Sequence, residues 1–144
     1  YRASDLHCAL GLSQLAKLDQ FVARRAELTS AYDTAFNDFA PALIPLARTP
    51  FSQAAWHLYP VLIDFEDIDI SRAHVMTALR DLGIGTQVHY IPVHTQPYYQ
   101  QKSNSELTGA AAYYKRTLSL PLHANMSVDD VHTVVDALRQ TLKI

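Results

Sequence analysis

No proline occurs before Pro41, and across that stretch apolar side chains recur at helical spacing. Leu6, Leu10, Leu15, Leu18, Val22, Leu28, Tyr32, Phe36 and Phe39 mark the pattern. It predicts a long amphipathic helix, or two helices joined by a kink. Ser4 is placed to cap its start, with Asp5 in the first turn. Gly11 costs about 1 kcal/mol relative to alanine inside a helix, so close packing is expected there. Lys17, Asp19, Arg24, Arg25, Glu27 and Asp33 form the expected solvated side.

Prolines then punctuate the chain. Pro41, Pro45 and Pro50 mark a connector, part of which suits an edge strand. Residues 55–65 read as a strand, with Pro60 arguing for an edge position or a bulge. Ser71 is a second helix cap, Val75, Met76, Leu79 and Leu82 carry the helical period, and Gly83 is the expected residue past its end. Residues 84–90 alternate as a strand. Residues 91–104 are irregular and aromatic, and a helix is expected from about Glu106 to Thr117. A short strand at 118–122 precedes a last helix capped by Ser127, with Asp129 and Asp130 in its first turn and Val131, Val134, Val135, Leu138 and Leu142 as its buried stripe. The fold class read from this order is α+β. It has a small, mainly antiparallel sheet of three strands (55–65, 84–90, 118–122), helices on one face and a long N-terminal helix.

Composition narrows the function. With 144 residues, 49% of them apolar and 18% charged, residues 1–144 are expected to form one domain with its own core. A net charge of -2 excludes a basic nucleic-acid footprint. No apolar run approaches the ~18 residues of a membrane span. Cys8 stands alone, so no intrachain disulfide forms and a cytoplasmic protein is expected. The chain begins at Tyr1, already in its first helical pattern, and is expected to be a piece of a larger protein.

The segment Gln87 to Tyr99 gathers His89, Tyr90, His94, Gln96, Tyr98 and Tyr99 at a strand end stiffened by prolines. These side chains offer hydrogen bonds and stacking faces without strong charge, which suits a neutral, planar or hydroxyl-rich ligand. They also suit a plain covering of the core with polar tips outward. A metal site is not expected, because the His89–His94 spacing lacks a thiolate pair or a carboxylate to complete it. Cys8 reads as an inert core residue. The glycines are scattered, so no phosphate loop is present, and Lys17, Lys102, Lys115 and Lys143 read as solvated.

Three stretches together resemble one family. Tyr1-Arg2-Ala3-Ser4-Asp5-Leu6, continued by Ala9-Leu10-Gly11-Leu12 and Gln14-Leu15, is similar to the segment opening the C-terminal part of DegT/StrS-type sugar-nucleotide aminotransferases. Trp56-His57-Leu58-Tyr59-Pro60 resembles that family's next strand. Gly83-Ile84-Gly85-Thr86-Gln87-Val88-His89-Tyr90-Ile91-Pro92-Val93-His94, with Pro97-Tyr98-Tyr99 and Ser119-Leu120-Pro121-Leu122, carries the most specific likeness. The nearest subgroup is the C4 aminotransferases of pseudaminic acid biosynthesis.

The resemblance implies the small C-terminal domain of a fold type I enzyme dependent on pyridoxal 5′-phosphate. The N-terminal large domain would carry the Schiff-base lysine, the partner of the pyridinium nitrogen and the phosphate-binding loop. A homodimer with shared active sites is implied, as is glutamate or another amino donor. Arg2 matches a family arginine suited to the substrate diphosphate or the subunit interface. His89, Tyr90 and His94 match the segment that reaches the nucleotide sugar in the partner's site. The asparagine that precedes the Tyr-Arg pair in the family is outside this chain. The chain alone is therefore expected to be inactive. The competing readings are a stand-alone carbohydrate or nucleotide-sugar binding module and an interaction domain without a ligand.

Overall fold

The computed structural model describes residues 2–100 and 107–144. Tyr1, Lys102, the end of the irregular segment at Asn104 and the expected helix start at Glu106 lie outside the described residues. The N-terminal pattern resolves into two helices, α1 (Asp5–Leu15) and α2 (Leu18–Ala35), with a break at Ala16 and Lys17. Ser4 caps α1 by accepting from the His7 N–H at 3.4 Å.

α2 carries Leu28, Thr29 and Tyr32 into the core, but α1 buries nothing. Leu6, Leu10, Leu12 and Leu15 are 84%, 59%, 70% and 63% exposed. The expectation of one amphipathic stripe fails here for a geometric reason. At about 100° per residue, Leu6 and Leu10 fall on one side of α1, and Leu12 and Leu15 fall on the other. Cys8 is exposed rather than part of the core. A Cβ added at Gly11 would meet nothing within 4 Å, so the close packing expected there is absent among the described residues. The side of α2 expected to be merely solvated is partly engaged. The Arg24 guanidinium donates to the Met126 carbonyl at 2.6 and 3.0 Å, and Asp33 holds Arg48 at 2.5 Å.

The sheet has three antiparallel strands in the order β1 (Leu43–Pro45), β2 (Tyr59–Ile63), β3 (Thr117–Leu120). Leu43 pairs with Ile63 and Pro45 with Val61, while Tyr59 pairs with Leu120 and Leu62 with Thr117. The proline connector thus supplies the edge strand, and residues 84–90 do not form one. There, a single bridge joins Gln87 to Ser119. Two residues on, the next carbonyl a ladder to β3 would use, that of His89, accepts from the Tyr113 hydroxyl at 3.3 Å instead; the Val88 N–H, on the side away from β3, donates to the Gln87 side chain at 3.1 Å.

Pro60 sits in the central strand, not at an edge or bulge. Its partner Ser119 exchanges both main-chain hydrogen bonds with Gln87, at 3.2 and 2.8 Å, so Ser119 turns its polar backbone away from β2. Pro60 therefore occupies a non-hydrogen-bonded pair on that side. Its missing N–H faces the β1 side, past the last pair at Pro45 and Val61.

Tyr59, Val61 and Ile63 form the buried face of β2, while Pro60 and Leu62 are half-buried. The buried face meets α2, α3 (Arg72–Asp81) through Val75 and Leu79, and α6 (Val128–Leu142) through Val131, Val134, Val135 and Leu138, in one hydrophobic cluster. Tyr32 and Tyr59 stack at 4.5 Å, and Phe36 and Phe39 meet edge-on at 5.0 Å. Both phenols are anchored: Tyr32 donates to the Pro121 carbonyl at 3.0 Å and Tyr59 to Asp33 at 2.6 Å. Burial pushes both phenol pKa values well above their ordinary range, and the bond to Asp33 adds to the effect at Tyr59.

The caps read from sequence are in place. Ser71 accepts from the His74 N–H at 3.2 Å, and Gly83 takes the left-handed conformation at φ 79° as α3 ends. Ser127 and Asp130 form a reciprocal capping box on α6, and the Ser127 N–H holds the Asp130 carboxyl below its ordinary pKa. α5 (Thr108–Arg116) runs directly into β3, and Arg72 fastens it by donating to the Tyr114 carbonyl. No helix among the described residues is long and apolar enough to cross a membrane.

Candidate functional site

From Gly85 to Gln100 the chain leaves the core and runs over the surface. Ile84, 7% exposed, anchors its start, and the bridge to Ser119 ties Gln87 to the sheet. Past that bridge the His89 ring is half-buried, with Nδ1 2.8 Å from the Ser119 hydroxyl oxygen. The His89–Tyr90 peptide is cis. Tyr90 stands 70% exposed, its ring edge-on to His89 at 4.6 Å.

The Pro92 carbonyl then accepts from the Thr95 N–H at 3.0 Å and from its hydroxyl at 2.7 Å, closing a 3-10 turn over Val93–Thr95. This turn presents His94, half-buried. A short helix, α4 (Pro97–Gln100), follows where sequence reasoning expected irregular chain. The Gln100 side chain fastens it to the Thr95 carbonyl at 2.7 Å. Tyr98 and Tyr99 meet edge-on at 5.1 Å and are 64% and 45% exposed.

No Asp, Glu, Lys or Arg occurs from Ile84 to Gln100. The loop therefore offers imidazole, phenol and amide groups and apolar faces, a chemistry matched to hydrogen bonding and stacking with an uncharged planar or hydroxylated ligand.

The structure brings His89 and Tyr90 together. It places His94 in the same loop without a hydrogen bond, ion pair or ring contact to another described residue. Arg2 lies exposed ahead of α1, likewise with no such contact among the described residues. The larger cavities lie elsewhere. One of about 540 Å³ is lined by Gly83, Ile84, Pro121, His123 and Met126, and one of about 450 Å³ by Arg48, Ser52, Trp56 and His57. Neither is lined by His89, Tyr90 or His94.

Two groups that sequence reasoning left without a role stand out. Ser119 and Tyr113 both bond to His89, and the Ser119-Leu120-Pro121-Leu122 stretch was the available signal. Arg48 stacks its guanidinium 4.4 Å over Trp56 while paired with Asp33, which fixes the loop before β2.

The described residues do not fit a pyridoxal phosphate. Lys17, Lys115 and Lys143 are exposed, and Lys115 pairs with Glu66 at 2.6 Å. No described lysine has the apolar pocket that Schiff-base chemistry needs. No group of three or more His, Cys, Asp or Glu among the described residues is arranged to hold a metal ion.

Comparison with known proteins gives one consistent answer. The family model described as DegT/DnrJ/EryC1/StrS aminotransferase matches residues 1–139. The spore coat polysaccharide biosynthesis protein SpsC of Bacillus subtilis is 46% identical over 143 residues, covering 96% of this chain and 36% of that protein. A UDP-4-amino-4,6-dideoxy-N-acetyl-beta-L-altrosamine transaminase of Campylobacter jejuni is 34% identical over 144 residues, covering 99% of this chain and 38% of that protein. Among solved structures, Helicobacter pylori PseC, described as an aminotransferase involved in the biosynthesis of pseudoaminic acid, superposes with a TM-score of 0.88 at 32% identity. That match covers 99% of this chain and 38% of PseC. The chain thus spans little more than a third of the length of the relatives it matches.

Proposed function

This chain belongs to the DegT/DnrJ/EryC1/StrS aminotransferase family, and from that premise we propose that it is the substrate-facing, C-terminal small domain of a longer enzyme. The proposed reaction moves an amino group from glutamate to the C4 keto group of a UDP-linked 4-keto-6-deoxy amino sugar. The UDP-sugar transaminase relative supports the substrate class.

The observation that carries the reading is the uncharged, aromatic loop from Ile84 to Gln100, with His89 and Tyr90 in ring contact and Tyr90 largely exposed. Such a surface offers hydrogen bonds to sugar hydroxyls and faces for stacking. The exposed Arg2 guanidinium supplies the charge that a diphosphate requires. Exposed rings at Tyr90, Tyr98 and Tyr99 favour a site completed by other protein, here the large domain and a second copy in a homodimer. They disfavour a free-standing binding module. Pyridoxal 5′-phosphate, which carries the amino group and stabilises charge in this chemistry, then belongs to the large domain. A cytoplasmic location follows from the nucleotide-sugar substrate.

The test is steady-state kinetics of the full-length protein. His94→Ala is expected to raise KM for the UDP-linked keto sugar about tenfold, and Tyr90→Phe about threefold, the scale of one lost hydrogen bond. KM for glutamate should not change, because a group that binds only one substrate moves only that constant. Unchanged sugar KM in both variants would reduce the loop to a ligand-free interaction surface.

A further inference from the structure

The Ser119 side chain has no place in the reading above. Yet Ser119 is 3% exposed and concentrates its bonding on one short segment. Its main chain exchanges two hydrogen bonds with Gln87, at 3.2 and 2.8 Å, and its hydroxyl oxygen lies 2.8 Å from His89 Nδ1. The hydroxyl makes no other hydrogen bond among the described residues. The Tyr113 hydroxyl, from α5, donates to the His89 carbonyl at 3.3 Å. His89 is thus held at its ring by β3 and at its backbone by α5.

We propose that Ser119 is a positioning residue for the nucleotide-sugar site: its buried hydroxyl holds the His89 ring in one orientation through Nδ1. This rests on the reading of the loop as substrate-facing. With Nδ1 engaged by the Ser119 hydroxyl, Nε2 is the ring nitrogen left for a ligand. A sugar hydroxyl, which both donates and accepts, pairs with that nitrogen in either tautomer. The rigid strand supplies the orientation that a loop side chain lacks by itself, since β3 is paired on both sides at Ser119.

The experiment is a double-mutant cycle in the full-length protein, with the UDP-linked 4-keto-6-deoxy amino sugar and glutamate as substrates. His89→Ala is expected to raise the sugar KM about tenfold and Ser119→Ala about fivefold, with KM for glutamate unchanged. The double variant should match His89→Ala rather than reach the product of the two effects, because Ser119 acts only through His89. Ser119→Thr keeps the hydroxyl and should keep the native sugar KM whatever it does to the melting temperature.

A loosened β3 without a positioning role would give multiplicative effects and no rescue by threonine, and that result overturns the proposal. A normal sugar KM in Ser119→Ala beside a raised one in His89→Ala overturns it too, while leaving the loop reading intact. A normal sugar KM in His89→Ala overturns it as well, and removes the loop reading too if His94→Ala and Tyr90→Phe are also normal.

Discussion

Tyr59→Ala is expected to destabilise the chain by about 3–5 kcal/mol, measured as a shifted urea midpoint. Against a typical domain stability of about 5–15 kcal/mol, that loss brings the fold near its limit. Tyr59 is fully buried at the start of β2, stacks on Tyr32 at 4.5 Å and lies 6.3 Å from the Phe36 ring. Its hydroxyl donates to Asp33 at 2.6 Å, which ties the sheet to α2. Alanine removes the ring from a packed aromatic group and leaves a cavity. Tyr59→Phe keeps the ring and removes only the hydroxyl, so its expected cost is about 1–2 kcal/mol. Asp33 retains Arg48 at 2.5 Å in that variant, which keeps the carboxylate partnered. Equal losses in the two variants would show that the hydrogen bond rather than the stack holds this junction.

The second large effect concerns α1 and depends on what surrounds it. Leu6→Asp with Leu10→Asp changes one side of the helix, and Leu12→Asp with Leu15→Asp changes the other. In the 144-residue chain each pair should shift stability by no more than about 0.5 kcal/mol, because all four side chains are exposed. In the full-length protein each pair is expected to abolish assembly of the active enzyme. A helix apolar on both sides is one that is covered on both sides, and burying unpaired carboxylates costs several kcal/mol. Size-exclusion profiles and activity of the two double variants provide the readout. A fully assembled, active protein in both cases would mean that α1 faces solvent and that neither the large domain nor a second copy docks there.

Features governed by near neighbours in sequence were legible in advance. The caps at Ser4, Ser71 and Ser127, the left-handed Gly83 and the buried stripe of α6 all depend on residues within a few positions, and all stand where expected. The sheet was legible as three strands but not in its membership. Alternation in 84–90 was real, yet the Tyr113 hydroxyl takes the His89 carbonyl a strand would need, while Leu43–Pro45 pairs despite its proline. The position of Pro60 in the central strand depended on which way Ser119 turns its backbone, a contact 59 positions away in sequence.

The same limit applied to the site. His89, Tyr90 and His94 drew notice as a local cluster of polar aromatic groups. The stretch holding Ser119 stood out only by resemblance, and its bond to His89 was not legible until β3 was placed beside the loop. The α1 leucines carried the opposite lesson: regular spacing over a long stretch mixed positions that fall on different sides of the helix, and only the break after Leu15 separated them from the true core stripe of α2.

The most direct test of the central claim compares the full-length protein with the 144-residue chain. Each is incubated with glutamate, pyridoxal 5′-phosphate and a UDP-linked 4-keto-6-deoxy amino sugar, and the aminated sugar is measured. The expected result is product from the full-length protein and none from the 144-residue chain, whose described lysines are all exposed. Product from the 144-residue chain alone, or none from the full-length protein, would contradict it.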